Sequence, residues 1–126
     1  MPSILLIDDD ELFRHALATA LTERGYAVRQ ARDGEEGLRL FHVEPSDLVL
    51  TDIVMPNKEG IETVMELRRT NPELGIIAMS GGLAKDAPLY LKLVGALGAN
   101  CTLKKPFALP ALLTAIDKVR AERSRN

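Results

Sequence analysis

The segment Ile4-Leu5-Leu6-Ile7 runs directly into Asp8-Asp9-Asp10, and this stretch decides the fold. An unbroken run of isoleucine and leucine is typical of a strand that is buried on both faces, as in a parallel sheet covered by helices. Adjacent carboxylates repel one another unless a cation compensates their charge. The stretch therefore predicts a buried parallel strand with an acidic site at its carboxyl end.

Three further apolar runs end in polar residues. Residues 48–50 precede Thr51-Asp52, residues 76–79 precede Ser80-Gly81-Gly82, and residues 101–103 lead to Lys105-Pro106. The carboxyl ends of parallel strands share one edge of a sheet, where α/β proteins bind their ligands. Carboxylates, a hydroxyl and an ammonium at this edge would suit a divalent cation and a phosphoryl group.

Strand-like and helix-like segments alternate along the whole chain, which indicates an α/β fold. We predict strands at about 4–7, 26–31, 47–51, 75–79 and 101–104, each followed by a helix. This pattern predicts a flavodoxin-like, doubly wound sheet of five parallel strands with five helices in three α/β/α layers. We expect one domain over residues 1–126, with residues 122–126 as a frayed tail.

Composition excludes several classes of function. The chain has 126 residues, of which 46% are hydrophobic and 27% are charged, as is ordinary for a soluble globular domain. A net charge of -2 gives no electrostatic reason to expect direct nucleic-acid binding. One cysteine cannot form an internal disulfide, and no leader or membrane-spanning run is evident, so we expect a cytoplasmic protein without a membrane anchor.

Each polar residue of the predicted site also has an ordinary structural interpretation. In the aspartate triplet, one side chain could cap the next helix while the others are solvated; we assign the cap to Asp10 and a cation to Asp8 and Asp9. Asp52 is a candidate nucleophile, because a carboxylate can attack phosphorus, but an aspartate at a strand end is also a common turn residue. Ser80 and Lys105 could bind phosphoryl oxygens, or could be a turn residue and a solvated lysine. The ordered set of four stretches favours the functional interpretation.

Taken together, these segments resemble the receiver domain of two-component response regulators. The matching residues are 4–10, 47–56 with Gly60, 76–80, 98–100 and 104–107, so the likeness covers nearly the whole chain. As a correctly spaced set, these motifs are highly specific. The resemblance implies the sheet order 2-1-3-4-5.

The resemblance also implies a phosphoacceptor and a metal site. Asp52 would accept a phosphoryl group from a sensor histidine kinase or a histidine phosphotransfer protein. Mg²⁺ would be held by Asp8, Asp9, Asp52 and the backbone carbonyl of Val54. The family is a signalling family rather than an enzyme family, with only self-catalysed phosphotransfer and slow hydrolysis of the aspartyl-phosphate.

Two further positions acquire roles by resemblance. Ser80 would be the hydroxyl that moves toward the phosphoryl group, and Lys105 would be the lysine that binds it. The Lys105–Pro106 peptide bond is expected to be cis.

The sequence departs from the family pattern at two places. Thr102 stands where receivers usually carry an aromatic residue that reports phosphorylation to the outer surface. The fourth predicted helix, ending near Leu97, is apolar almost all round, whereas a surface helix normally has a polar face. We expect Leu89, Tyr90 and Leu93 to form a contact patch for a homodimer or an effector on the surface of the fourth helix, fifth strand and fifth helix. The alternative is a deeply packed helix with a scattered exposed leucine.

Two other classes of function compete with a phosphorylated receiver. A phosphatase with an aspartate nucleophile usually carries a second aspartate two residues later, where this chain has Val54. A receiver-like interaction module that is never phosphorylated is consistent with Thr102, although the complete acidic set argues against it. The sequence leaves open whether the domain works alone or within a longer regulator.

Overall fold

A sheet of five parallel strands forms the centre of the computed structural model, which describes residues 2–53, 59–81, 92 and 95–124. The strand order is β2-β1-β3-β4-β5, which confirms the predicted doubly wound topology. The strands are β1 (Ser3–Ile7), β2 (Ala27–Ala31), β3 (Leu48–Asp52), β4 (Gly75–Ser80) and β5 (Cys101–Lys104). The helices are α1 (Glu11–Glu23), α2 (Gly34–Val43), α3 (Glu59–Thr70), α4 (helical residues 92 and 95–97) and α5 (Leu109–Ser124).

Alternating side chains of β1 enter two separate hydrophobic clusters, one on each face of the sheet. Ile4 and Leu6 pack with α1 and α5, whereas Leu5 and Ile7 pack with α2 and α3. All four side chains are at most 1% exposed. Each such burial contributes about 1.5–3 kcal/mol before the cost of chain ordering. The strand is therefore buried on both faces, as its uninterrupted apolar run predicts.

Helices α1 and α2 begin at aspartates that cap their first turns. The Asp10 side chain accepts a hydrogen bond of 3.0 Å from the Phe13 N–H, which confirms Asp10 as a cap. The Asp33 side chain accepts one of 2.8 Å from the Glu36 N–H. Gly25 follows α1 with a φ of 94°, a left-handed conformation that glycine adopts without steric cost.

Helix α5 extends into the polar segment near the end of the chain. It continues to Ser124, three residues into the segment 122–126 for which the sequence predicts a frayed tail. Ala121, Glu122 and Arg123 are good helix formers, and neither glycine nor proline interrupts them. Within the described ranges, no helix is both long and apolar enough to span a bilayer.

Arg68 of α3 connects the α3–β4 turn to the segment that leads into β5. Its guanidinium donates to the carbonyls of Gly98 (3.0 Å), Asn71 (3.2 Å) and Pro72 (2.6 Å), and to Oδ1 of Asn100 (2.7 Å). Burial lowers the pKa of the Arg68 guanidinium, which remains charged at neutral pH. One side chain thus links the start of β5 to the rest of the sheet.

Candidate functional site

The acidic residues predicted from the sequence meet at the carboxyl edge of the sheet. Ile7 of β1 is paired with Thr51 of β3. The residues that follow them, Asp8 and Asp52, therefore lie next to each other at the carboxyl edge of the sheet. Carboxylate oxygens of Asp8, Asp9 and Asp52 all lie within 4.8 Å of one another. Asp8 and Asp52 are buried, whereas Asp9 is exposed. The cluster therefore has two buried carboxylates and a third at its mouth.

Lys105 brings a positive charge to this cluster from β5, at the edge of the sheet. Its Nζ lies 2.7 Å from Oδ2 of Asp8 and 3.7 Å from Oδ2 of Asp52. The Lys105 N–H donates a 2.7 Å hydrogen bond to the Ser80 carbonyl, which extends the pairing of β4 with β5. The Lys105–Pro106 peptide bond is cis, as expected. Among the described side chains named here, three carboxylates face one ammonium, a composition that favours a cation ligand.

Both the side chain and the backbone of Asp8 make hydrogen bonds. Oδ1 accepts from the Asp10 N–H at 2.9 Å, and the Asp8 N–H donates to the Ala31 carbonyl at 3.0 Å. Arg14, which the sequence analysis did not single out, donates to the Asp8 carbonyl at 2.9 Å and to Oε1 of Gln30 at 3.1 Å. Its position on the first turns of α1, directly after the aspartates, was the available signal. These contacts hold Asp8 in one orientation.

The Ser80 hydroxyl is buried at the end of β4 with a residue exposure of 1%. In the part of the chain that the structure describes, it is the one buried side-chain polar atom without a hydrogen-bond partner. Met79, its neighbour, is paired with Asp52, which places Ser80 one residue beyond the level of that carboxylate. A buried hydroxyl without a partner costs about 1–3 kcal/mol. Such an atom is suited to a ligand that approaches Asp52.

Phe13 is a second residue of the site that the sequence analysis missed. Lys105 Nζ lies 4.1 Å from the centre of its ring, within the range of a cation–π contact. In the sequence Phe13 was one of several apolar positions of α1, and no local pattern distinguished it from core residues. An open cleft of about 460 Å³ lies at this end of the sheet and is lined by Asp9, Asp10, Phe13, Asp52, Gly81, Lys105 and Pro106.

Of the remaining predicted residues, Thr102 alone lies in the described ranges, and it is not part of this cluster. Thr102 is half-buried in the middle of β5, where it is paired with Ala78 of β4. Val54 and the proposed patch residues Leu89, Tyr90 and Leu93 lie outside the residues that the structure describes.

This arrangement can support transfer of a phosphoryl group to a carboxylate. Asp52 supplies a nucleophilic oxygen that opens onto the cleft, and Lys105 supplies positive charge for phosphoryl oxygens. The Asp8, Asp9 and Asp52 carboxylates are hard oxygen ligands of the kind that Mg²⁺ prefers.

Comparisons with known proteins agree on one family. The family model described as the response regulator receiver domain matches residues 4–117. Response regulator MprA of Mycolicibacterium vanbaalenii is 38% identical over 111 residues, which are 87% of this chain and 46% of that protein. The chain thus spans about half the length of this curated relative.

Solved structures with the same fold cover nearly all of the chain. A CheY-like receiver domain protein from Methanospirillum hungatei has a TM-score of 0.87 and 26% identity, over 99% of this chain and 98% of that one. The response regulator TrrA from Thermotoga maritima, solved in complex with Mg²⁺ and BeF, has a TM-score of 0.82 and 30% identity, over 94% of this chain and 99% of that one.

Proposed function

Because this chain belongs to the response regulator receiver domain family, the phosphoacceptor domains of two-component systems, we propose that Asp52 is the residue that accepts the phosphoryl group. The observation that carries the proposal is the position of its carboxylate. Asp52 is 5% exposed, lies in the cluster with Asp8 and Asp9, and has Lys105 Nζ at 3.7 Å. It also lines the cleft through which a donor would approach.

The proposed reaction transfers a phosphoryl group from a phosphohistidine to Asp52. A carboxylate oxygen of Asp52 forms the new bond to phosphorus while the bond from phosphorus to the imidazole nitrogen breaks. The electron pair of the broken bond stays on that nitrogen, which is protonated from solvent. Lys105 compensates charge on the phosphoryl oxygens, a contribution that depends on fixed positions more than on proton transfer. The same site would support slow self-catalysed hydrolysis of the aspartyl-phosphate.

The donor set fits Mg²⁺. Three carboxylates with ligand oxygens within 4.8 Å of one another, two of them buried, form an oxygen-rich site. Asp8, Asp9 and Asp52 would hold the ion, with the backbone carbonyl of Val54 as a further ligand. Mg²⁺ bound there supplies positive charge next to the transferred group. The complex of Thermotoga maritima TrrA with Mg²⁺ and BeF supports this choice of metal.

We further propose that Ser80 donates a hydrogen bond to a phosphoryl oxygen on Asp52. Its buried hydroxyl has no partner among the described residues, so a new acceptor would remove an unfavourable state. Thr102 stands where receivers usually carry an aromatic residue. We therefore propose that the effect of the Ser80 hydrogen bond reaches the outer surface without rotation of an aromatic ring.

The partners follow from the family and are proposals. The donor would be a sensor histidine kinase or a histidine phosphotransfer protein in the cytoplasm, and the chain would act as one domain. The output would be a homodimer or an effector contact on the surface formed by α4, β5 and α5, with Leu89, Tyr90 and Leu93 as contact residues. Direct nucleic-acid binding by this domain is not expected, since its net charge is -2.

Phosphorylation with a small donor tests the central proposal. Incubation with acetyl phosphate and Mg²⁺ should add the mass of one phosphoryl group to the wild-type chain, and EDTA should prevent it. Asp52→Asn should gain nothing, whereas Asp117→Asn, an exposed aspartate of α5, should be modified like the wild type. A wild-type chain that gains no phosphoryl group, or an Asp52→Asn chain that still gains one, would contradict the assignment.

A further inference from the structure

We propose that Phe13 is a positioning residue for Lys105, holding the ammonium at the carboxylate cluster through a cation–π contact. The proposal rests on the phosphoacceptor function of the site and assigns a role to a ring outside its charged set. Lys105 Nζ lies 4.1 Å from the ring centre and 2.7 Å from Oδ2 of Asp8. The ammonium is therefore held by a carboxylate and by the face of an aromatic ring.

Four residues form a closed circuit of contacts around this ammonium. Asp8 accepts from the Asp10 N–H, Asp10 accepts from the Phe13 N–H, and the Phe13 ring contacts Lys105. The Lys105 Nζ in turn donates a hydrogen bond to Oδ2 of Asp8. The cap of α1 thus also fixes the backbone of the residue whose ring contacts the lysine. We therefore expect the loss of any one of these contacts to loosen the position of Lys105.

The Phe13 ring is itself supported from the lysine's own segment. The rings of Phe13 and Phe107 meet edge to face, with centres 6.1 Å apart and planes at 87°. Phe107 follows Lys105 by two residues, so the segment that carries the lysine also supports the ring beside it. Edge-to-face pairs of this kind are favourable beyond the area that they bury.

Gly81 makes space for the aliphatic part of the same side chain. A Cβ atom at Gly81 would lie 2.9 Å from Cδ of Lys105 and 3.3 Å from its Cβ, so the lysine stem passes directly over this glycine. A lysine stem has four flexible carbons and normally follows its ammonium into water. Here Gly81 leaves room for the stem, Phe13 contacts the ammonium, and the side chain is only 15% exposed.

The position of the ammonium matters because Lys105 would bind oxygens of a phosphoryl group on Asp52. Its Nζ already lies 3.7 Å from Oδ2 of that carboxylate. Charge stabilisation works best when the charged group needs no reorganisation during the reaction. Without the ring, one side of the ammonium would open toward the cleft that Phe13 lines. Phe13 also packs against the hydrophobic cluster that contains Ile4 and Leu6. An exclusively structural role there would require only the apolar volume of its ring.

Progressive fluorination of the Phe13 ring separates the two roles. Fluorine withdraws charge from the ring face and weakens the cation–π contact while nearly preserving ring volume. We expect the rate of phosphorylation by acetyl phosphate to fall stepwise from one to three fluorines, by about three- to tenfold at trifluorophenylalanine. Phe13→Tyr should keep most of the phosphorylation rate, whereas Phe13→Leu should lose most of it. Phe41, buried in the other cluster, is the matched control, and fluorination there should leave the rate unchanged.

A second readout follows the contact itself. The NMR signals of the Lys105 ε-methylene protons should be shifted upfield by the Phe13 ring, and Phe13→Leu should abolish that shift. A rate that is constant or rises along the fluorine series in a phosphorylatable protein, or an ε-methylene shift that Phe13→Leu leaves unchanged, would overturn the proposal. Failure of the wild type to be phosphorylated would instead be a failure of the proposed function, and the NMR shift would still decide whether Phe13 positions Lys105.

Discussion

Lys105 is bound more closely to Asp8 than to Asp52, since its Nζ lies 2.7 Å from Oδ2 of Asp8 and 3.7 Å from Oδ2 of Asp52. Asp8 is fully buried, so this ion pair compensates a charge that would be costly to leave alone. Asp52 has the longer contact and faces the cleft. The two buried carboxylates therefore differ in role: one anchors the lysine and the other is placed to react.

Asp52→Asn should increase the free energy of unfolding in the absence of divalent cations, by about 1 kcal/mol. The substitution removes one of three crowded carboxylate charges and leaves the pair between Lys105 and Asp8 in place. Asp8→Asn should have the opposite effect, because it takes from Lys105 its closest partner. Urea unfolding in EDTA measures both variants. A destabilised Asp52→Asn protein would contradict this account of the cluster.

Mg²⁺ should stabilise the wild-type protein by about 1.4 kcal/mol when its concentration is about ten times the dissociation constant. The ion would place positive charge among the three carboxylates of the cluster. Asp9→Asn removes the exposed carboxylate of the set and should reduce the effect. Thermal unfolding with MgCl₂, against NaCl of equal ionic strength, gives the measurement. Equal stabilisation by the two salts would argue against a specific ion site.

Ser80→Ala should leave the stability unchanged or raise it by up to about 1 kcal/mol, because the lost hydroxyl is buried without a partner among the described residues. Thr51 provides the matched control on the neighbouring strand. Its fully buried hydroxyl donates to the Asp52 carbonyl at 3.0 Å, so Thr51→Val should cost about 1 kcal/mol. Urea unfolding compares the two. A clearly destabilised Ser80→Ala protein would indicate that its hydroxyl is already satisfied.

Gly60→Ala should destabilise the protein by about 2–3 kcal/mol through overpacking. A Cβ atom at Gly60 would lie 2.8 Å from the carbonyl carbon and oxygen of Ile53, the residue directly after Asp52. The backbone there cannot give way as a flexible side chain can, so the strain should also slow phosphorylation. Gly95 of α4 is the control, because a Cβ there meets no atom of the described residues within 4 Å. Gly95→Ala should be neutral or stabilising by up to about 1 kcal/mol.

Arg68→Ala should destabilise the protein by about 2 kcal/mol, since it removes the donor for four acceptors at the α3–β4 turn and before β5. Its neighbour Arg69 is an exposed control. The hydrogen bond and the charge of Glu66 raise the pKa of Arg69, but this is an exposed pair within one helix, so Arg69→Ala should have little effect. Chemical unfolding of both variants tests the contrast, which similar losses would contradict.

Residues close in sequence accounted for most of what could be predicted. The apolar run before Asp8 is long enough to specify a strand buried on both faces, and Asp10 lies where its side chain reaches the Phe13 N–H. The end of α5 has no such marker, because helix-forming residues continue past the last apolar position. Local periodicity therefore identified elements better than it identified their ends.

Asp8 and Asp9 show where local information ends. They are adjacent and chemically identical, and the sequence alone predicts the same metal-binding role for both. Asp8 is buried against Lys105 and the Asp10 N–H, whereas Asp9 is exposed at the mouth. Asp8 directly follows the last residue of β1, whereas Asp9 lies one residue farther along the chain and reaches the same cluster from its mouth. Their division of roles required the packed sheet.

The sequence by itself determined the alternation of strands and helices, the edge at which the polar residues collect, and the family. These properties depend on the order and spacing of residues along one chain. Only the tertiary structure decided that Lys105 pairs with Asp8 and that the Phe13 ring contacts its ammonium. Asp8 and Lys105 are 97 residues apart, and nothing in either local pattern specifies the other. The order β2-β1-β3-β4-β5, fixed by helices packing on both faces, brings them within hydrogen-bond distance.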